Sequence, residues 1–203
     1  MKRLMACLII LNIMIVGCWV YFSDDYSVAA RDAASGVTVR QDSPENTVSS
    51  LYELIFTSPA AAATLFYDPS SEFTEDDVIS TYGDGSTIQI ELVKLYTSAT
   101  NRDYAVVGTV LRVTADGETQ VIVEALTMQR VGNRWYIVGD ASVPDMETYY
   151  IIYELAYDMS ATVYSDTVDG LSEDEAASVR EQAGTFAINL QQGLESILLE
   201  LNS

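Results

Sequence analysis

The chain has 203 residues, a formal net charge of −20 and an apolar fraction of 49%. It contains no histidine and only two cysteines, Cys7 and Cys18, both near the N-terminus. Beyond that segment the composition excludes disulfides, thiol nucleophiles, imidazole bases and the usual zinc ligands. The strong negative charge also disfavours nucleic acid as a partner.

Residues 1–22 have the pattern of an export signal or a membrane anchor. Met1-Lys2-Arg3 precedes the apolar run Leu4–Val16. Ile15-Val16-Gly17-Cys18 resembles a bacterial lipobox, which implies that Cys18 is lipidated. The alternative is an uncleaved anchor, because Leu4–Phe22 is nineteen residues long, about the minimum for a membrane span. Either interpretation predicts a folded part outside the cytoplasm, anchored to the cell membrane.

Residues 23–42 are small, polar and weakly patterned, so we expect a tether there. Ser43-Pro44 then offers an N-cap and a proline at the first helical position. Ser58-Pro59 repeats this start for a second helix that continues to Phe66, and Thr74 precedes a third with an acidic first turn. The first helix has an apolar stripe at helical spacing: Val48, Leu51, Tyr52, Ile55 and Phe56.

Four runs rich in β-branched and aromatic residues predict a twisted antiparallel meander: Thr87–Thr97, Tyr104–Val113, Glu118–Arg130 and Arg134–Ala141. Asp116-Gly117 and Gly132-Asn133 lie between strands, and both pairs tolerate the positive φ of a tight hairpin. With these pairs as two-residue loops, the predicted register places Ala115 opposite Glu118, Val131 opposite Arg134, Thr109 opposite Glu124, Leu111 opposite Ile122 and Met128 opposite Ile137.

Alternation along these strands sorts the side chains onto two faces. The front face carries Val107, Thr109, Leu111, Val113, Ile122, Glu124, Leu126, Met128, Trp135 and Ile137. The back face carries Val106, Val110, Arg112, Val121, Val123, Gln129, Tyr136 and Val138. Both faces are too apolar to be exposed to water, so we expect each of them to be covered.

Residues 144–203 return to a helical period and predict two helices within Met146–Leu201, at least one of which covers the meander. Five tyrosines lie in the first helix, and we expect them to pack it onto the sheet. Ser172–Glu175 forms a capping box for the second helix. Gly184 and Gly193 weaken that helix in isolation, so it needs a docking partner. Its apolar seam is Ala176, Val179, Ala183, Phe186, Leu190, Leu194, Ile197 and Leu201.

Helices followed by a meander that ends in a tryptophan strand resemble the nuclear transport factor two-like superfamily, most closely the exported lumazine-binding-like domains of bacterial lipoproteins. The residues that carry the resemblance are 43–48, Asp103–Val113, Asp116-Gly117 and 132–137. The resemblance covers about residues 43–143 and implies a cone-like α+β domain. It also implies a pocket between the helices and the concave sheet face, for which Thr109, Glu124, Leu126 and Trp135 are the candidate lining residues.

Three functions fit this sequence. The first is a non-catalytic binding or assembly module at the membrane surface, with a protein partner or a second copy as its ligand. The second is a pocket enzyme of the isomerase or dehydratase type with Glu124 as base, because burial raises a carboxyl pKa into a useful range. The third is an anchored subunit of a secretion or conjugation channel. We expect the first, with Glu124 structural and with no metal or cofactor; the sequence does not identify a small-molecule ligand.

Overall fold

A computed structural model describes residues 38–69, 71–139 and 143–201 of the chain. The predicted export segment with Cys18, and residues 23–37 of the predicted tether, lie outside this part. No helix among the described residues has both the length and the apolarity of a membrane span. Arg40–Ser203 form one compact unit.

The structure confirms the predicted α+β class, with an antiparallel meander of strand order β1-β2-β3-β4. Helices precede and follow this sheet. The elements in chain order are α1 (Pro44–Leu54), α2 (Pro59–Ala63), α3 (Glu75–Tyr82), β1 (Ile88–Thr97), β2 (Tyr104–Ala115), β3 (Glu118–Val131), β4 (Arg134–Ile137), α4 (Met146–Ser165) and α5 (Glu173–Leu201).

The helix starts follow their capping residues. The side chain of Ser43 accepts a hydrogen bond from the Asn46 amide at 3.2 Å, and Thr74 forms a capping box with Asp77. The predicted end of α2 at Phe66 was wrong, since the helix ends at Ala63. The backbone beyond it pairs with β4 instead: the Ile137 amide donates to the Leu65 carbonyl at 2.9 Å.

The predicted register is confirmed at every pair named above, from the Ala115–Glu118 hairpin to Met128 opposite Ile137. The fourth strand, however, is shorter than predicted. It ends at Ile137, and directly after it the Val138 amide donates to the Thr127 carbonyl at 3.0 Å. Residues 140–142, at the predicted end of this strand, lie outside the described part.

A β-bulge at Val93 shifts the register of β1 between Leu92 and Lys94. Because one residue is left unpaired, the alternation of β1 changes phase at this point. Lys94 pairs with Val110 and therefore lies on the back face. There its ammonium group forms an ion pair with Asp166 at 2.5 Å, just beyond α4.

The two faces of the sheet are covered by different parts of the chain. On the front face α1 packs against β1, β2 and β4. Leu51 of this helix and Ile55, which directly follows it, are fully buried. On the back face α4 and α5 form a continuous apolar cluster with the sheet, which includes Val106, Val110 and Val121. The predicted covering of the meander by the C-terminal helices is therefore confirmed, and the unit has three layers.

Arg112 on the back face fixes the connection between α4 and α5. Its guanidinium contacts Glu91 at 2.7 Å and Glu175 at 3.1 Å, and it also donates to the Gly170 carbonyl at 3.1 Å. This guanidinium, with the Ser172 amide, lowers the pKa of Glu175 to about 2. As predicted for the capping box, the Glu175 carboxylate accepts a hydrogen bond from the Ser172 amide at 2.8 Å.

Three glycines mark the closest approaches of the back layer. A Cβ at Gly108 would overlap Met159 of α4, and one at Gly193 would overlap the Tyr153 ring. The Tyr164 ring lies 3.4 Å from a Cβ placed at Gly184. The glycines that weaken α5 as a free helix are therefore the positions at which two tyrosines of α4 pack against it.

Leu190→Asp is expected to lower the free energy of unfolding by about 3 kcal/mol or more, because it places a carboxylate in the apolar cluster of the back layer. Leu190 is 7% exposed. Ile188→Asp is the matched control, since Ile188 lies on the same helix and is 59% exposed. Urea denaturation of both variants measures the difference. Equal midpoints for the two variants would contradict the docking of this face of α5.

Candidate functional site

Glu124 lies at the centre of β3, half-buried on the front face opposite Thr109. Its carboxylate accepts a hydrogen bond from the phenol of Tyr52, which α1 carries across from the neighbouring layer. The phenol of Tyr82, at the end of α3, is close enough to feel the charge of the same carboxylate. The site is thus one carboxylate beneath two tyrosines that belong to different helices.

Burial extends the pH range over which both phenols stay neutral. It is the largest cause that raises the pKa of Tyr52 well above its ordinary value, and the charge and hydrogen bond of Glu124 raise it further. Burial and Glu124 also raise the pKa of Tyr82. A neutral phenol is a hydrogen-bond donor, so Tyr52 satisfies Glu124 and holds α1 to the sheet.

Thr109 faces this cluster from β2 and is fully buried. Its hydroxyl is close enough to Tyr52 to lower the pKa of that phenol. Within the described chain, however, it has no partner that meets the geometry of a hydrogen bond. A buried hydroxyl without a partner is uncommon, and it gives this cluster unused hydrogen-bonding capacity.

Leu126 and Trp135, the other two predicted pocket residues, are also buried. Trp135 pairs with Arg130 across the second hairpin, four positions along β3 from Leu126. Its backbone is held by Gln41, which accepts from the Trp135 amide at 2.8 Å and donates to its carbonyl at 3.1 Å. The structure therefore brings Thr109 and Glu124 together, while Trp135 lies away from them, at the second hairpin.

The described residues contain no cluster of three or more acidic or other ligating side chains that could hold a metal ion. Within the described residues, acidic side chains in the first turns of α3 and α5 instead cap these helices. Asp77 closes the cap of α3, and Glu175 closes that of α5.

The early half of β3 has an edge that no strand covers in the described structure. β4 pairs only with Met128–Val131. Gln182 of α5 takes the place of a strand beside Val121 and Val123. Its side-chain oxygen accepts from the Val123 amide at 3.0 Å, and its side-chain nitrogen donates to the Val121 carbonyl at 2.8 Å.

A solvent-open groove of about 390 Å³ lies beside this edge, between β3 and α5. The wall formed by α5 carries residues from successive turns, with polar side chains towards the solvent and Phe186 half-buried. The residues that line the groove are Val123, Glu124, Ala125, Glu181, Gln182, Thr185, Phe186 and Asn189.

The residue pattern did not identify Tyr52, Tyr82 or Gln182 as site residues. The sequence predicts Tyr52 only as part of an apolar helical stripe. Its hydroxyl reaches Glu124 because α1 packs over that residue. Gln182 directly precedes Ala183 of the α5 seam, and a polar residue beside an apolar seam is common. A usable signal was the unequal length of the third and fourth predicted strands, since a shorter last strand leaves part of its neighbour uncovered.

No family model matches the sequence, and no curated protein is significantly similar to it.

The neutral phenol of Tyr52 predicts a loss of stability in alkali. The pKa of Tyr52 is higher in the folded than in the unfolded protein. Its contribution to the free energy of unfolding is therefore complete below about pH 10 and decreases as the pH rises further, by up to about 1.4 kcal/mol per pH unit. Tyr52→Phe should therefore lose stability less steeply than the parent above that pH. Urea denaturation across this range measures both slopes.

Tyr164→Phe is the control, because this ring is 54% exposed. At neutral pH Tyr52→Phe should cost about 1–3 kcal/mol, since Glu124 loses its donor, while the control should be close to the parent. Parallel alkaline slopes for Tyr52→Phe and the parent would contradict a neutral, buried Tyr52.

Proposed function

We propose that this chain is a non-catalytic binding or assembly module, held at the outer surface of the cell membrane by its N-terminal segment. We further propose that its folded part is related to the nuclear transport factor two-like superfamily. The order of elements supports the relationship: helices, then a four-stranded meander with a tryptophan in its last strand. The charged start and apolar run of residues 1–16 support export.

The groove beside the β3 edge is the observation that carries the binding function. It combines a solvent-open volume beside β3 with a helix wall that carries exposed polar side chains. Its volume lies in the range of ligand sites, about 300–1,000 Å³. A protein with such a surface and an N-terminal tether is suited to hold a partner near the membrane.

The Glu124 cluster is the basis of the competing enzymatic reading. Two neutral phenols and the free hydroxyl of Thr109 could polarise a substrate next to a carboxylate base. Against this reading, the carboxylate is already engaged by Tyr52. The helix that covers it, with the residue that follows it, also fills the interior with Val48, Leu51 and Ile55, all fully buried. These contacts favour a structural role for Glu124.

The anchoring part of the proposal predicts that Cys18 carries a lipid. Metabolic labelling with an alkyne fatty acid should label the parent protein, and Cys18→Ser should remove the label because the acylated thiol is lost. Cys7→Ser is the matched control and should retain it. An unlabelled parent that still fractionates with membranes would favour the uncleaved anchor instead.

The non-catalytic part predicts that Glu124→Gln retains both fold and cellular role. The amide oxygen still accepts from Tyr52, so the free energy of unfolding should change by about 1 kcal/mol or less. Expression of the variant in a strain that lacks the gene should restore the parental phenotype, as should the exposed control Glu118→Gln. A folded, anchored Glu124→Gln protein that fails to restore it would support the enzymatic alternative.

A further inference from the structure

We propose that the outer surface of α4 and α5 binds a positively charged amphipathic helix of a partner protein. This surface lies on the side of the helix pair that faces away from the sheet. The inference goes beyond the groove beside β3, because it adds a second surface and a partner class to the proposed binding function.

Exposed large apolar side chains are concentrated on these two helices, which pack against each other. Within the described residues there are six, and five of them belong to α4 or α5: Tyr157, Tyr164, Ile188, Leu198 and Leu199. The sixth is Val131, at the end of β3. Single exposed apolar residues are normal on a protein surface, but a concentration of them on one layer is typical of an interaction surface.

The solvent side of α5 carries two of these residues on one line. An α-helix turns by about 100° per residue, so Ile188 points away from the buried seam residue Leu190, and Leu199 points the same way as Ile188. Ile188 is 59% exposed and Leu199 is 75% exposed. The Tyr164 ring of α4 lies against Gly184, one turn before Ile188, and widens this line. We call these residues the outer strip: Tyr164, Gly184, Ile188 and Leu199.

The charge around the outer strip is negative. α4 contains no lysine or arginine, and α5 contains only Arg180. Glu195 lies on the same side of α5 as Ile188, two turns further on, and is exposed. Glu154 and Asp158 are exposed on α4. Charged residues beside an apolar helix contact determine the choice of partner, so these carboxylates select a helix with lysine or arginine beside its apolar residues.

The same charge disfavours other occupants of an apolar surface. A second copy would bring two negative helix pairs together, and an anionic membrane surface would repel them. The outer strip consists of helix side chains and offers no strand backbone, so an added helix can pack there and an added strand cannot pair. From Gly184 to Leu199 the strip is about 22 Å long, which is the length of a four-turn helix.

The binding test uses a fluorescein-labelled 18-residue peptide with leucines at helical spacing and lysine and alanine at the other positions. Fluorescence anisotropy measures its Kd for the full chain in nonionic detergent at physiological salt, with detergent alone as the blank. Ile188→Ser should weaken binding about fivefold, because an apolar contact is lost. Val131→Ser is the matched control, since Val131 is exposed away from the outer strip, and it should leave Kd unchanged. Equal Kd values for the two variants would overturn the proposal.

The charge requirement is tested with a second pair of variants. Glu195→Lys should weaken binding about fivefold more than Glu118→Lys. The two variants have the same net charge, but Glu118 is exposed at the start of β3, away from the helix pair. The same peptide with glutamate in place of lysine should not bind. Equal effects of the two variants, equal binding of the acidic peptide, or no binding at millimolar peptide would each contradict a cationic partner.

Photocrosslinking tests the position of the peptide. A benzophenone in the middle of the cationic peptide should crosslink to residues of α4 and α5, identified by mass spectrometry of the digested complex. Crosslinks confined to other elements would overturn the assignment. Dimers of the free protein in sedimentation that Ile188→Ser abolishes would make a second copy the occupant and would also overturn it. If the outer strip fails in these ways while Glu124→Gln still restores the cellular role, the proposed non-catalytic function stands.

Discussion

The sheet at the centre of this protein has two apolar faces, and the need to bury both determines the rest of the architecture. Val107 and Leu111 require cover on one side and Val106 and Val110 on the other, and all four are buried. A sheet with both faces apolar must have a layer on each side. The chain places the segment before the sheet on one face and the segment after it on the other, so that three layers form in sequence order.

The short fourth strand also affects the edge of the sheet, because in the described part of the chain the early half of β3 has no neighbouring strand. An uncovered edge is a hazard, since its free backbone groups can pair with other chains. This protein covers part of the edge with the Gln182 side chain and leaves Ala125 beside a groove. The helix that buries the back face is therefore also the helix that forms one wall of the candidate binding site.

Glu124 illustrates how the sequence can suggest a catalytic role for a residue whose contacts favour a structural role. A carboxylate among apolar neighbours on a sheet face is a reasonable base. In the folded unit it instead accepts a hydrogen bond from the Tyr52 phenol of α1, whose pKa is raised by burial and by Glu124. The hydrogen bond joins the front helical layer to the sheet, which is sufficient reason for a carboxylate at this position.

The sequence by itself determined the strands, the hairpin pairs Asp116-Gly117 and Gly132-Asn133, the register and the caps at Thr74 and Ser172. These features depend on neighbours a few residues apart, so residue type and spacing define them. Only the tertiary structure decided the bulge at Val93, the end of β4 at Ile137, the bond from Tyr52 to Glu124 and the strand-like pairing of Gln182. Tyr52 and Glu124 are 72 positions apart, and Gln182 and Val123 are 59 apart. Such contacts arise from the way separate layers pack, which local periodicity does not encode.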